Sequence, residues 1–337
     1  MKYPFVLLCA LGVLGGKETL SRLSRLVACG AILGAASFAQ AQQPTLDPDF
    51  VGTAFDQYTT KDNLGRTITF YLTRVSDKKL PLIVLIQGSG AQSIWVKRGD
   101  KISGGLQNLT AAAAKGKARV LAVEKPGIDC FYQPEHPGTA EGAPQAFLEE
   151  QTLPRWAEAN EAAIRAALTF PGTAPGKILV AGHSEGAITA AKIAADMPDV
   201  THVAILSGSG ANQLFDMALT MGDDETYKTW SEIQKDPDST SKFAWGHPYR
   251  RWSSFCSTST LEQLEKSKAH IFVAHGTEDK AVPYQSFEVL RAGLTATNRD
   301  AHYEIVQGGG HDYAKPNDPP ADGFRIMFGR LVDWFLG

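Results

Sequence analysis

Short apolar runs recur along this chain, and each is closed by a glycine-rich or charged cluster. Pro81–Ile86, Ala118–Val123, Ile178–Ala181, Val203–Leu206 and Ala269–Ala274 are almost unbroken in their hydrophobicity. A strand buried on both faces reads this way, because neither side meets water. His302–Val306 reads as a further strand at the end of the series. Between the runs lie segments with the character of helices: 106–115, about 153–168 with Pro154 in its first turn, 187–195, 286–294 and 324–335. Ahead of them, 54–60 and 66–74 show period-two alternation around Asn63-Leu64-Gly65, the pattern of an antiparallel hairpin.

Alternating apolar strands and helices predict an α/β fold, a doubly wound, mostly parallel sheet, with the N-terminal antiparallel hairpin at its edge. The rhythm breaks once. Residues 211–268 lack a buried β run and hold three of the six tryptophans, Trp230, Trp245 and Trp252. They leave and rejoin the sheet at strand ends on one edge. They read as an inserted helical cap within a single domain at 42–337, and their aromatic content predicts that they line a pocket.

The first 41 residues differ from the rest. Lys17, Arg22 and Arg25 precede the apolar run Leu26–Phe38, and Ala39-Gln40-Ala41 follows as a cleavage pattern. This is the form of a secretory signal peptide cleaved after Ala41, and the run is too short for a membrane span. Leu26-Val27-Ala28-Cys29 resembles a lipid-attachment box, but the residues before it are too polar for one. The expected location is therefore periplasmic or secreted, with no stable membrane span after cleavage. Cys130 and Cys256 remain beyond the leader, and an oxidising compartment leaves a disulfide between them open. The net charge of −3 offers no basic footprint for nucleic acid. No Cys/His spacing suggests zinc, and no cofactor is implied.

The chemistry centres on Gly182-His183-Ser184-Glu185-Gly186. It sits between a buried strand and an alanine-rich helix, the setting of a nucleophile elbow. A serine hydroxyl needs a base to take its proton, and the base needs an acid to orient it. Asp279 follows the strand 269–274, and His311 follows the strand 302–306 after the glycine run 308–310. Both therefore fall in strand-end loops on the edge that carries Ser184, in the order serine, acid, histidine. Glu278 is the alternative acid. His183, His275 and His302 read as structural residues. The backbone N–H of Glu185 is placed to donate to an oxyanion.

With these residues in view, the chain resembles the α/β-hydrolases, the superfamily of serine esterases, lipases and peptidases, over roughly 52–337. Gly182–Gly186 is similar to the elbow of bacterial esterases and prolyl-oligopeptidase-like hydrolases. His275–Pro283 matches their acid-loop pattern. The resemblance implies Ser184 as nucleophile, Asp279 as acid and His311 as base. It also implies a second oxyanion donor in Gln87-Gly88-Ser89-Gly90, at the amide of Ser89 with Gly90 in reserve. Gln87 stands where the superfamily usually has histidine. Trp95, the loop 124–132, Trp245 and Trp252 are expected to line the pocket, and Arg250-Arg251 either to hold a substrate carboxylate or to lie solvated at the surface.

The leading expectation is a secreted hydrolase cleaving a carboxylic ester through an acyl-enzyme. The substrate would be a small-molecule ester or, in the alternative, a short peptide cut by a peptidase of the prolyl-oligopeptidase-like type. Thioesterase or acyltransferase chemistry, and a non-catalytic binding protein on the same fold, are weaker readings.

Overall fold

The structure is a computed structural model that describes residues 53–74 and 78–337. The leader at 1–41, its cleavage site and Cys29 lie outside the described residues.

Strands β1 (Phe55–Lys61) and β2 (Thr67–Thr73) form the expected antiparallel hairpin, and β3 (Leu80–Ile86) follows. A small separate hairpin of β4 (Trp95–Arg98) and β5 (Lys101–Gly104) precedes α1 (Leu106–Ala114) and β6 (Arg119–Val123). Then come α2 (Gln145–Glu150), α3 (Leu153–Thr169), β7 (Thr173–His183), α4 (Glu185–Asp196) and β8 (His202–Leu206). The inserted segment holds α5 (Gln213–Met221), α6 (Asp223–Ile233), a minimal hairpin of β9 (Phe243–Ala244) and β10 (His247–Pro248), α7 (Tyr249–Cys256) and α8 (Thr260–Lys266). β11 (His270–Gly276), α9 (Tyr284–Ala296), β12 (Ala301–Val306) and α10 (Pro320–Leu336) close the chain.

Eight strands make one sheet in the order β1-β2-β6-β3-β7-β8-β11-β12. β2 is antiparallel to both its neighbours, and the pairs from β6 to β12 are parallel. Successive side chains on a strand point to opposite faces. Leu82, Val84 and Ile86 of β3 therefore join α3, α4 and α9 in one apolar layer, while Ile83 and Leu85 join α10 in the other. This two-sided burial is what the unbroken hydrophobic runs encode. Each fully buried side chain of this kind contributes about 1.5–3 kcal/mol.

Parallel strands all end at one edge, and that edge positions the site. The loops after β3, β6, β7, β11 and β12 carry residues 87–90, 124–127, Ser184, Asp279 and His311 respectively. No helix among the described residues is long and apolar enough to cross a membrane.

The inserted segment has a small core of its own. Ile233, Trp252 and Cys256 pack there with Leu214, Met217, Trp230 and Trp245. All three tryptophans of the segment thus pack into the cap's own core. Cys130 and Cys256 are both thiols, so the disulfide left open by the sequence is absent. Burial pushes the Cys256 thiol up to about 12.

Candidate active site

Ser184 follows β7 directly and stands at the N-cap of α4 with φ 57° and ψ −124°. A non-glycine residue rarely occupies that region, and the strain is tolerated because the surroundings fix it. The Ser184 amide donates to Leu206 O at 2.9 Å, and its carbonyl accepts from Ala187 N at 3.0 Å. Strand and helix approach so closely that a Cβ on Gly182 would lie 1.9 Å from Gly186 O, and one on Gly186 would lie 2.4 Å from Ile86 O. Only glycine fits at either position. α4 begins at Glu185, two residues earlier than the alanine run suggested, so the Glu185 amide belongs to the first turn of the helix. Amides there have no intrahelical partner and carry the positive end of the helix dipole.

Asp279 and His311 meet above the sheet edge. His311 Nδ1–H donates to Asp279 Oδ2 at 2.8 Å. That bond leaves Nε2 as the ring's acceptor. The amides of Ala281 and Val282 donate to Asp279 Oδ1 at 2.8 and 2.9 Å. Burial pushes the Asp279 carboxyl up, but the His311 hydrogen bond and charge and the Val282 amide outweigh it, and the net shift is downward. The Asp279 side chain is sealed at 0% exposure, whereas His311 keeps 29%. A sealed acid holding a partly open imidazole leaves the ring able to reach a substrate.

Two further histidines brace this pair. His183 Nε2–H donates to His311 O at 3.0 Å, and His275 Nε2–H donates to Val282 O at 2.9 Å. Both have lowered pKa values, chiefly by burial, His183 to about 3, so both rings stay neutral. His183 lines the cavity shared by Ser184 and His311 but commits its Nε2–H to the His311 carbonyl, and His275 does not line it. Glu278 is 59% exposed at its side chain and faces Lys280, so the carboxylate that holds the His311 ring is Asp279.

Ser184 and His311 line one cavity of about 400 Å³ together with Gln87, Gly88, Ser89 and Gln133. Gly88 lies against Ser184, since a Cβ there would stand 3.2 Å from Ser184 Cβ. A second cavity of about 180 Å³ also opens on Ser184 and Ser89, on the side of Glu185, α5 and α7.

A buried charged network, not apparent from the sequence, links the loop 87–90 to the elbow at Glu185. Lys125 Nζ donates to Gly88 O at 2.5 Å and to Gly90 O at 2.7 Å, the carbonyls flanking Ser89. The Glu185 carboxylate accepts from Arg251 through Nε at 2.9 Å and through Nη2. The Arg251 guanidinium lies 3.7 Å from the centroid of the Trp252 ring and 4.7 Å from that of Phe255. Burial alone would raise the Glu185 carboxyl, but Arg251, Lys125 and His247 bring it below its usual value. Lys125 falls to about 8, mainly by burial and then by Arg251, against the pull of Glu185 and Glu124. The sequence signal for Lys125 was a charged pair, Glu124-Lys125, directly at the end of an almost unbroken apolar run.

The expected pocket residues divide. Trp252 does line the smaller cavity. Trp245 packs edge-on against Trp252 at 5.2 Å and lines neither cavity at Ser184. Trp95 is fully buried, edge-on to Phe55 and Tyr71 at 5.4 Å each, while its neighbours Ile94 and Val96 line the larger cavity. Alternation along the strand turns Trp95 into the core. Arg251 is matched by Glu185 and Arg250 pairs with Asp238 at the surface, so neither offers an unmatched charge to a carboxylate. Among the described residues no group of His, Cys, Asp and Glu is placed to hold a metal ion.

The fold recurs among solved structures. The acylaminoacyl peptidase of Pyrococcus horikoshii superposes with a TM-score of 0.59 at 14% identity, over 84% of this chain and 42% of that one. The esterase Est1E from Butyrivibrio proteoclasticus superposes with a TM-score of 0.54 at 16% identity, over 84% of this chain and 98% of that one. Dipeptidyl peptidase 4 of Porphyromonas gingivalis gives a TM-score of 0.57 at 14% identity, over 84% of this chain and 36% of that one. The chain thus spans about two fifths of the peptidases' length. A search of curated protein sequences found no match. The profile of the prolyl oligopeptidase family matches residues 160–335, which take in Ser184, Asp279 and His311, and on that match over half its length the chain belongs to the prolyl oligopeptidase family of the α/β-hydrolase superfamily.

Proposed function

We propose that the protein is a serine hydrolase that cleaves a carboxylic ester through an acyl-enzyme. The observation that carries the reading is the 2.8 Å bond from His311 to a sealed, ionised Asp279, beside a strained Ser184 in the same cavity. In this reading His311 Nε2 takes the Ser184 proton as Oγ attacks the carbonyl carbon. Asp279 stabilises the imidazolium. The amides of Ser89 and Glu185 hold the oxyanion, and Lys125 and Arg251 keep their loops in place. His311 then gives its proton to the leaving oxygen, and water activated by the same ring releases the acid.

A peptidase reading has its own support. The matching family is named for a peptidase, and peptidases stand among the structural neighbours. Ester cleavage is supported by the match along almost the whole of Est1E, which has also been solved with ferulic acid bound. The two chemistries share the acyl-enzyme and differ in the leaving group. Comparing kcat/KM for short p-nitrophenyl esters and aminoacyl p-nitroanilides separates them. Esters are expected to lead; faster anilide cleavage makes the protein a peptidase. We also propose export, which N-terminal sequencing of the protein from its native host tests by a start at Gln42.

A further inference from the structure

The two cavities that meet at Ser184 differ in one respect that gives them separate roles. The larger includes His311, and the smaller does not. A leaving group departs from the tetrahedral centre toward the base that protonates it. The leaving group therefore lies in the larger cavity, and the acyl group in the smaller one. This assignment rests on the serine hydrolase reading above.

The smaller cavity has an unusual wall for an acyl site. Trp252 and Met217 supply apolar surface, but Ser209, Gln213, Asp216 and Arg251 line it as well. Ser209 Oγ, Gln213 Oε1, Asp216 Oδ1 and Arg251 Nη1 are each buried and find no hydrogen-bond partner among the described residues. Folded proteins leave few buried polar atoms unpaired, and four around one small cavity beside a nucleophile is a concentration that calls for a ligand. Asp216 is 6% exposed and Arg251 2%. Burial pushes the Asp216 carboxyl up to about 6, even though the Ser286 and Ser209 hydroxyls lie near enough to hold it down. Neither hydroxyl meets Oδ1 in hydrogen-bonding geometry.

The wall offers one unpaired donor, Arg251 Nη1, against the unpaired acceptors of Asp216 and Gln213. Arg251 is already neutralised by Glu185, which removes the attraction for an anionic acyl group. The unpaired oxygens of Asp216 and Gln213 can only accept. A volume of about 180 Å³ suits a short chain or a single ring, since a cavity near 150 Å³ holds benzene. We propose that this cavity selects a short acyl group carrying a hydrogen-bond donor, a hydroxyl or an ammonium a few atoms from the carbonyl, which Asp216 and Gln213 accept. A site built to accept a hydrogen bond rejects the apolar isostere, because its own polar atoms are then buried unpaired.

The test uses three p-nitrophenyl esters of one shape: 3-methylbutanoate, 3-hydroxybutanoate and 3-aminobutanoate. The leaving group is constant, and each rate is divided by the ester's rate with hydroxide, so differences report acyl binding. The hydroxy or amino ester should lead the methyl ester at least tenfold in kcat/KM, and which of the two leads identifies the donor. The ratio should fall toward one in Asp216→Leu and fall partway in Gln213→Leu, a half-buried site where the change is mild. A methyl ester level with or ahead of both, in protein that still reacts with a fluorophosphonate, overturns the pocket assignment and leaves the hydrolase reading standing. A polar preference that survives in both variants overturns it too. Folded protein that neither reacts with the fluorophosphonate nor turns over any ester overturns both readings.

Discussion

His311 Nδ1 lies 2.8 Å from Asp279 Oδ2, and that carboxylate is fully buried with two backbone amides on its other oxygen. The acid is thus held by its own loop before it holds the histidine. Asp279→Asn should keep the fold and lower kcat by roughly 10⁴, because the amide favours the wrong imidazole tautomer. Glu278→Gln, one residue away and exposed, should change kcat less than twofold or so. Steady-state kinetics on both variants separate the two carboxylates.

Lys125 spans the carbonyls of Gly88 and Gly90, with the amide of Ser89 between them. Lys125→Met removes both contacts and lets the loop turn. The expected loss is about 10²-fold in kcat, the scale of losing one oxyanion donor, with KM little changed. An equal rise in KM with kcat preserved would mean that the lysine only shapes the pocket.

Glu185 and Arg251 form an ion pair with each side chain 3% exposed. Removing one partner strands a buried charge. Arg251→Leu should cost about 3–5 kcal/mol in urea unfolding. Adding Glu185→Gln should restore much of it, since the uncompensated carboxylate is then gone. A double variant no more stable than Arg251→Leu alone would show that the loss is one of packing against Trp252.

Burial, and then Arg251, lowers the pKa of His247 to about 3. Its Nε2–H donates to Gly138 O at 3.1 Å, and its Nδ1 accepts from Gln151 at 3.2 Å. A depressed histidine adds stability that is present above its unfolded value near 6.5 and is lost as pH falls toward the folded one. Between about pH 6 and 4 the unfolded chain binds one more proton at this site than the fold does. In His247→Gln the slope of unfolding free energy against pH in that window should shrink by about 1.4 kcal/mol per pH unit. Denaturant titrations at several pH values read this directly.

The contrast between Asp279 and Lys125 shows what the sequence reveals. Strands buried on both faces advertise themselves as apolar runs, and with the shorter edge strand before His311 they let the loops at Ser184, Asp279 and His311 be placed in order without coordinates. Lys125 also follows such a run, but a lysine at a strand end ordinarily reads as solvated. Its burial depends on Glu185 and on carbonyls far away in sequence. Trp95 was misplaced for a related reason. Its strand has four residues, too few for alternation to say which face it takes. The cap was legible as a break in rhythm, but the division of its tryptophans between its own core and the cavity depends on contacts between helices.

Reaction of the folded protein with a fluorophosphonate, followed by intact mass and peptide mapping, tests the central claim most directly. The account predicts one adduct per chain, on Ser184, and none in Ser184→Ala. Folded wild-type protein left unlabelled, or an adduct that persists in Ser184→Ala, would contradict it.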